Sequence, residues 1–132
     1  MIDSILIRLA KLADIAEIEF ADVVMGWEIT EGKLRIYIAD KSILDIWFSR
    51  QLEGRYAYHW ERRHVDNTIY RWDNAKHEVW KNIKTFPHHF HENTDNNVIE
   101  SPLPGDHIRA IKFILEFVRN VINKDIINRD DK

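Results

Sequence analysis

Cysteine is absent from the 132 residues. That excludes disulfide frameworks, cysteine-ligated zinc, iron–sulfur clusters and thiol nucleophiles. Chain breakers are scarce: glycine stands only at 26, 32, 54 and 105, and proline only at 87, 102 and 104. With no linker, repeat or low-complexity tract, a single domain over 1–132 is expected. No run approaches the roughly 18 uninterrupted apolar residues of a membrane span. The first residues carry Asp3, Arg8 and Lys11 through their apolar stretch and lack a signal-peptide layout, so the expectation is a cytoplasmic protein with no membrane partner.

A net charge of −3 hides a segregation. Residues 1–49 carry a net −4, residues 50–91 a net +3 and residues 92–132 a net −2. Six of the seven histidines fall in the middle third. This permits an anionic partner there, but it is far weaker than the basic footprint of a dedicated nucleic-acid binder.

Periodicity predicts the elements. Ile2, Ile5, Leu6, Leu9 and Ala13 recur at helical spacing, with Asp3 or Ser4 as cap, so a helix is expected over 1–13. From Glu17 the period falls to two. Val23, Met25, Trp27 and Ile29 lead into a turn at 30–33. Leu34, Ile36 and Ile38 follow, then Leu44, Ile46 and Phe48, then Tyr56, Tyr58 and Trp60, and finally the segment 68–73. Short connections between such strands imply antiparallel pairing, because parallel crossovers need a dozen or more residues. Residues 74–103 read as a His-rich irregular segment. A helix over 104–123 follows, with Ile108, Ile111, Leu115, Val118 and Ile122 on one face and a polar tail to Lys132 that should fray. The fold class is therefore α+β: a four- or five-stranded antiparallel meander over 17–73, flanked by N- and C-terminal helices. Phe113, Ile114, Phe117 and Val121 give the last helix more apolar surface than one face requires, which suggests a homodimer.

Three short blocks carry the chemistry: Tyr56-Ala57-Tyr58-His59-Trp60, Tyr70-Arg71-Trp72-Asp73-Asn74-Ala75-Lys76-His77, and Thr85-Phe86-Pro87-His88-His89-Phe90-His91. Strand residues two apart share a face. Arg55, Ala57 and His59 thus share one face and Ile69, Arg71 and Asp73 another, and a hairpin makes the two coincide. Histidine exchanges protons near neutral pH, arginine grips a phosphate with two parallel donors, and Asp73 can orient an imidazole. With a ribose 2′-OH as nucleophile, metal-free RNA cleavage needs little more. The catalytic candidates are His59, Arg71, Asp73, His88, His89 and His91, and His59, Arg71, Asp73 and at least one of His88, His89 and His91 are expected to share a cleft at one edge of the sheet.

Two further readings stand beside this one. If the segment after Pro87 is extended, His89 and His91 face one side and His88 the other. With Asp73 or His77, they form a possible three-ligand site for Zn²⁺, Mn²⁺ or Ni²⁺, which would make the chain a metal-binding hydrolase. Alternatively, these groups are structural and the chain is a non-enzymatic interaction module. Trp60 and Trp72 are expected in the core, and Phe86 or Trp80 beside an open groove.

The three blocks, in this order, resemble the TumE family of small bacterial and archaeal proteins, the toxin halves of toxin–antitoxin pairs. The shared pattern is Tyr-x-Tyr-His-Trp, then Arg-Trp-Asp-Asn-Ala-x-His, then Thr-Phe-Pro-His-His-x-His. Lys76 stands where many members have proline, and the spacer 78–84 is slightly long. The resemblance implies a cognate antitoxin of helix-turn-helix type. It assigns no mechanism, so action on RNA rests on the residues above.

Overall fold

The computed structural model describes residues 3–130, with side chains to Asn128. Ile2, expected on the first helical face, and the tail residues Asp131 and Lys132 lie outside that range. Asp3 is the cap: its carboxylate accepts the Ile5 and Leu6 amides at 3.1 and 3.3 Å and starts helix α1, Ser4–Glu19. The helix runs six residues beyond the expected Ala13. Its buried stripe is Leu9, Leu12, Ala13 and Ala16, while Leu6 faces solvent.

Seven strands follow, β1 Val24–Thr30, β2 Lys33–Ile38, β3 Ile43–Phe48, β4 Tyr56–Arg62, β5 Thr68–Asp73, β6 His89–Asn93 and β7 Val98–Glu100. A short helical turn, α2 (Arg63–Asp66), joins β4 to β5, and α3 spans His107–Asp130. The sheet order is β1-β2-β3-β4-β5-β6-β7, antiparallel throughout. The expected four or five strands are thus seven, because β6 and β7 lie in the segment read as irregular. The last helix likewise continues past residue 123 instead of fraying there. At the β1–β2 turn, Glu31 (φ 53°) and Gly32 (φ 78°) are both left-handed, the geometry that a two-residue hairpin needs to match strand twist. A bulge between Val24 and Gly26 shifts β1's alternation and leaves Met25 outward.

Both long helices cover one face of the sheet. Leu34, Ile36, Leu44, Ile46, Tyr58, Trp60, Trp72 and Phe90 point into this core. Helix α1 packs on β1 and β2 and touches α3. Helix α3 covers the other half with Ile111, Ile114, Leu115 and Val118, all fully buried. Phe117 meets the rings of Trp60, Tyr70, Trp72 and Phe90 edge-on, at 4.9–6.2 Å between centroids. Of the four extra apolar positions on this helix, Ile114 is in the core and Phe117 and Val121 pack against it; Phe113 alone is exposed. A helix seated between a sheet and a second helix needs a wide apolar face, so that width does not call for a second copy.

The interior also holds a charge. The Arg62 side chain is 1% exposed at the end of β4 and sits over Trp60 at 4.7 Å. It donates to Asp66 (2.7 Å), Asp125 of α3 (2.8 Å) and Asp40 (3.1 Å). Asp40 also receives the hydroxyl of Ser42, which in turn accepts Trp60 Nε1–H at 2.7 Å. Among the described residues this network ties β4 to the C-terminal helix.

Candidate functional site

The face of the sheet opposite the helices is polar. Antiparallel register sets two cross-strand rows on it. One runs Arg35, Asp45, His59, Arg71, His91 across β2–β6, and the other runs Ala57, Asp73, His89 across β4–β6. His59, Arg71, Asp73, His89 and His91 therefore share the face of interior strands and do not lie at an edge, since the edge strands are β1 and β7.

The contacts are continuous. Arg71 Nε donates to Asp73 Oδ2 at 2.7 Å, and its Nη1 lies 3.5 Å from His59 Nδ1. His59 Nε2 lies 3.3 Å from Glu61 Oε1. Arginine only donates and a carboxylate only accepts. The neutral His59 tautomer with its proton on Nε2 satisfies both neighbours. Glu61 was not among the sequence candidates, although it stands two residues from His59 on the same face. Its carboxyl is held down at about 2, chiefly by hydrogen bonds from Arg63.

Beyond Arg71 the site goes underground. Asp73, His89 and His91 are buried, with side chains 5%, 1% and 7% exposed. Asp73 Oδ1 accepts the Ala75 amide at 3.0 Å and lies 2.9 Å from His89 Nε2, while Oδ2 lies 3.8 Å from His91 Nε2. Burial alone would raise the Asp73 carboxyl. The contact with His89, the Ala75 amide and Arg71 outweigh it and hold the group well below the usual carboxylate range. Burial pushes His91 down from its ordinary value, so it is neutral at pH 7. The roof is Trp80, from the short 3₁₀ turn Glu78–Trp80, whose ring lies 4.4 Å from that of His89 and 5.3 Å from that of His91.

Two sequence candidates fall elsewhere. His88 precedes β6 and pairs with Tyr56, its Nδ1 3.0 Å from the hydroxyl and the rings stacked at 5.8 Å. Tyr56 belongs to the core side, so His88 points away from the polar face. His77 is exposed and lies edge-on to Trp80 at 4.9 Å, outside the Asp73–His89–His91 cluster. The Phe86–Pro87 peptide that leads into β6 is cis.

Fold and site together define a small α+β protein with one sheet face given to its core and the other to a run of His, Arg and acidic side chains. The family model described as Toxin TumE matches residues 5–122, and the chain belongs to that family. It is thus a toxin of a toxin–antitoxin pair, and an antitoxin is its partner. No curated protein and no solved structure matches the chain. Among the described residues no helix is long and apolar enough to cross a membrane.

Proposed function

We propose that this toxin acts on RNA, with Arg71 and His59 as the groups that meet the phosphodiester. The observation that carries this reading is the unbroken run from Glu61 through His59 and Arg71 to Asp73 on one solvent-facing sheet surface. Arg71 keeps 32% of its side chain exposed and His59 keeps 20%, so both are reachable, whereas Asp73 is sealed behind them. Asp73 takes Arg71 through Nε and His59 lies against Nη1, which leaves the Nη2 N–H groups to turn towards a phosphate. Once the 3.5 Å contact with Arg71 Nη1 opens, His59 Nδ1 can accept the proton of a ribose 2′-OH as that oxygen attacks phosphorus; the 5′-oxygen departs and takes a proton from solvent, and the guanidinium offsets the charge that develops. Glu61 then stabilises the imidazolium.

The test is induced expression in cells, with and without the adjacent-gene product as antitoxin. Expected are growth arrest that the antitoxin relieves and RNA fragments ending in 2′,3′-cyclic phosphate. Arg71→Ala and His59→Ala should abolish both while the melting temperature stays within a few degrees. Growth arrest with intact RNA overturns this reading and leaves the chain a toxin of another kind.

A further inference from the structure

The buried end of the polar face has a feature that RNA binding does not use. His89 Nδ1 lies 2.9 Å from the Pro87 carbonyl, and His91 Nδ1 lies 2.9 Å from the Asp95 carbonyl. A carbonyl only accepts, so each imidazole carries its proton on Nδ1. In its neutral form each ring turns a bare Nε2 lone pair inward. Both lone pairs converge on the Asp73 carboxylate, and the three ligand atoms lie within 4.8 Å of one another. His89 Nε2 is fully buried and has no hydrogen bond of acceptable geometry, although Asp73 Oδ1 is only 2.9 Å away. Two lone pairs and an anion packed together repel unless something positive sits among them.

We infer that Asp73, His89 and His91 form a binding site for one divalent first-row transition metal of the Zn²⁺ class. Two imidazoles and a carboxylate suit such ions better than Mg²⁺ or Ca²⁺, which prefer all-oxygen shells. Imidazoles whose second nitrogen donates to a backbone carbonyl are the usual outer support of metal-bound histidine, since that bond fixes both tautomer and ring orientation. A proton on His89 would satisfy one lone pair and leave His91's, whereas a metal takes all three donors. Arg71 occupies Asp73 Oδ2 and the Ala75 amide takes one lone pair of Oδ1, leaving the second lone pair of Oδ1, the oxygen next to His89, for the ion. Metal–ligand bonds of about 2.0–2.1 Å set tetrahedral donors roughly 3.3 Å apart, so the Asp73–His89 pair at 2.9 Å opens slightly and the His91 ring swings in, both within the reach of small side-chain rotations. The two carbonyls come from the segments before and after β6, so an ion here pins both ends of that strand. Its cover, Trp80, makes the site dry. This inference rests on the cluster alone, and neither it nor the RNA reading needs the other.

The experiment uses the full chain without a polyhistidine tag, stripped with chelator and titrated with Co²⁺. Expected is one equivalent bound, with the visible absorption of low-coordinate cobalt and a raised melting temperature, and Zn²⁺ displacing the cobalt. His91→Gln and Asp73→Asn should weaken binding at least tenfold, while His77→Gln binds as the parent does. Fewer than one ion in ten chains bound overturns the inference, as does binding that survives both ligand substitutions or depends on His77. Should a ligand variant fail to fold, histidine ¹⁵N shifts of the metal-free parent decide. Bare Nε2 on both rings that shifts with Zn²⁺ supports the site, and a His89 imidazolium that is insensitive to Zn²⁺ refutes it.

Discussion

Replacing Arg62 by methionine tests whether the buried guanidinium holds the C-terminal helix in place. Methionine keeps the stem over Trp60, and the substitution removes three ion pairs at once. Deleting one partner of a buried pair costs about 3–5 kcal/mol when the other is left unsolvated. Here the orphans differ: Asp40 is 17% exposed, but Asp66 and Asp125 are 37% and 39% exposed and can rehydrate. The guanidinium is also incompletely satisfied, because its Nε has no partner among the described residues. Both facts pull the cost towards the low end, about 2–3 kcal/mol. For a chain of this size that corresponds to a melting temperature lower by roughly 10 °C. The assay is urea unfolding followed by tryptophan fluorescence, repeated at low and high NaCl. The variant leaves three carboxylates facing one another, so salt should stabilise it more than the parent by screening their repulsion. A loss below about 1 kcal/mol without extra salt dependence would refute the reasoning and make Arg62 equivalent to a surface pair.

Other outcomes follow from the same packing. Phe117→Ala should cost about 3 kcal/mol, because it empties the centre of a ring cluster built from four other side chains, and equilibrium denaturation reads this directly. His107 is pushed below its ordinary value by burial, with Arg8 adding to the effect, and its Nδ1 lies 2.8 Å from the Tyr58 hydroxyl. The unfolded chain therefore binds a proton near pH 6.5 that the folded chain resists, so stability is complete above that pH and falls as the pH drops through the window below it. Melting curves between neutral and mildly acid pH should show that slope, and His107→Gln should flatten it. Gly32→Val should cost about 1 kcal/mol or more, since its φ of 78° is one that a β-branched residue resists, and a thermal melt is sufficient to measure it.

Legibility followed the range of the forces involved. Period-two alternation is local, so β2, β3 and β4 were readable, as was the coincidence of His59 with Arg71 and Asp73, which needs only a hairpin. Strand β6 was harder to read. Its inward residues on the polar side are His89 and His91, so burial there left no apolar alternation, and β7 has only three residues. The conditional placement of His89 and His91 on one side and His88 on the other matched the backbone once the segment proved extended. Arg62 sat in a stretch that read as plain polar surface. Two of its partners, Asp40 and Asp125, are 22 and 63 residues away in sequence, and no local pattern announces them. The lengths of α1 and α3 were underestimated for a related reason. The end of α1 carries Glu19 to Lys112 of α3, and the end of α3 carries Asp125 to Arg62 of β4; both contacts are tertiary.

The strictly sequential strand order has a consequence for how a cell makes this toxin. Every strand pairs with its neighbour in the chain, so hairpins form as they leave the ribosome, and no early segment waits for a late one. The exception is the roof over β4–β6, which arrives last in α3. Until those 24 residues emerge, the rings of Trp60, Trp72 and Phe90 lack their cover. A nascent chain or a product stopped before residue 107 is thus a sticky half-sandwich destined for chaperones and proteases, and the poison exists only once α3 has been made.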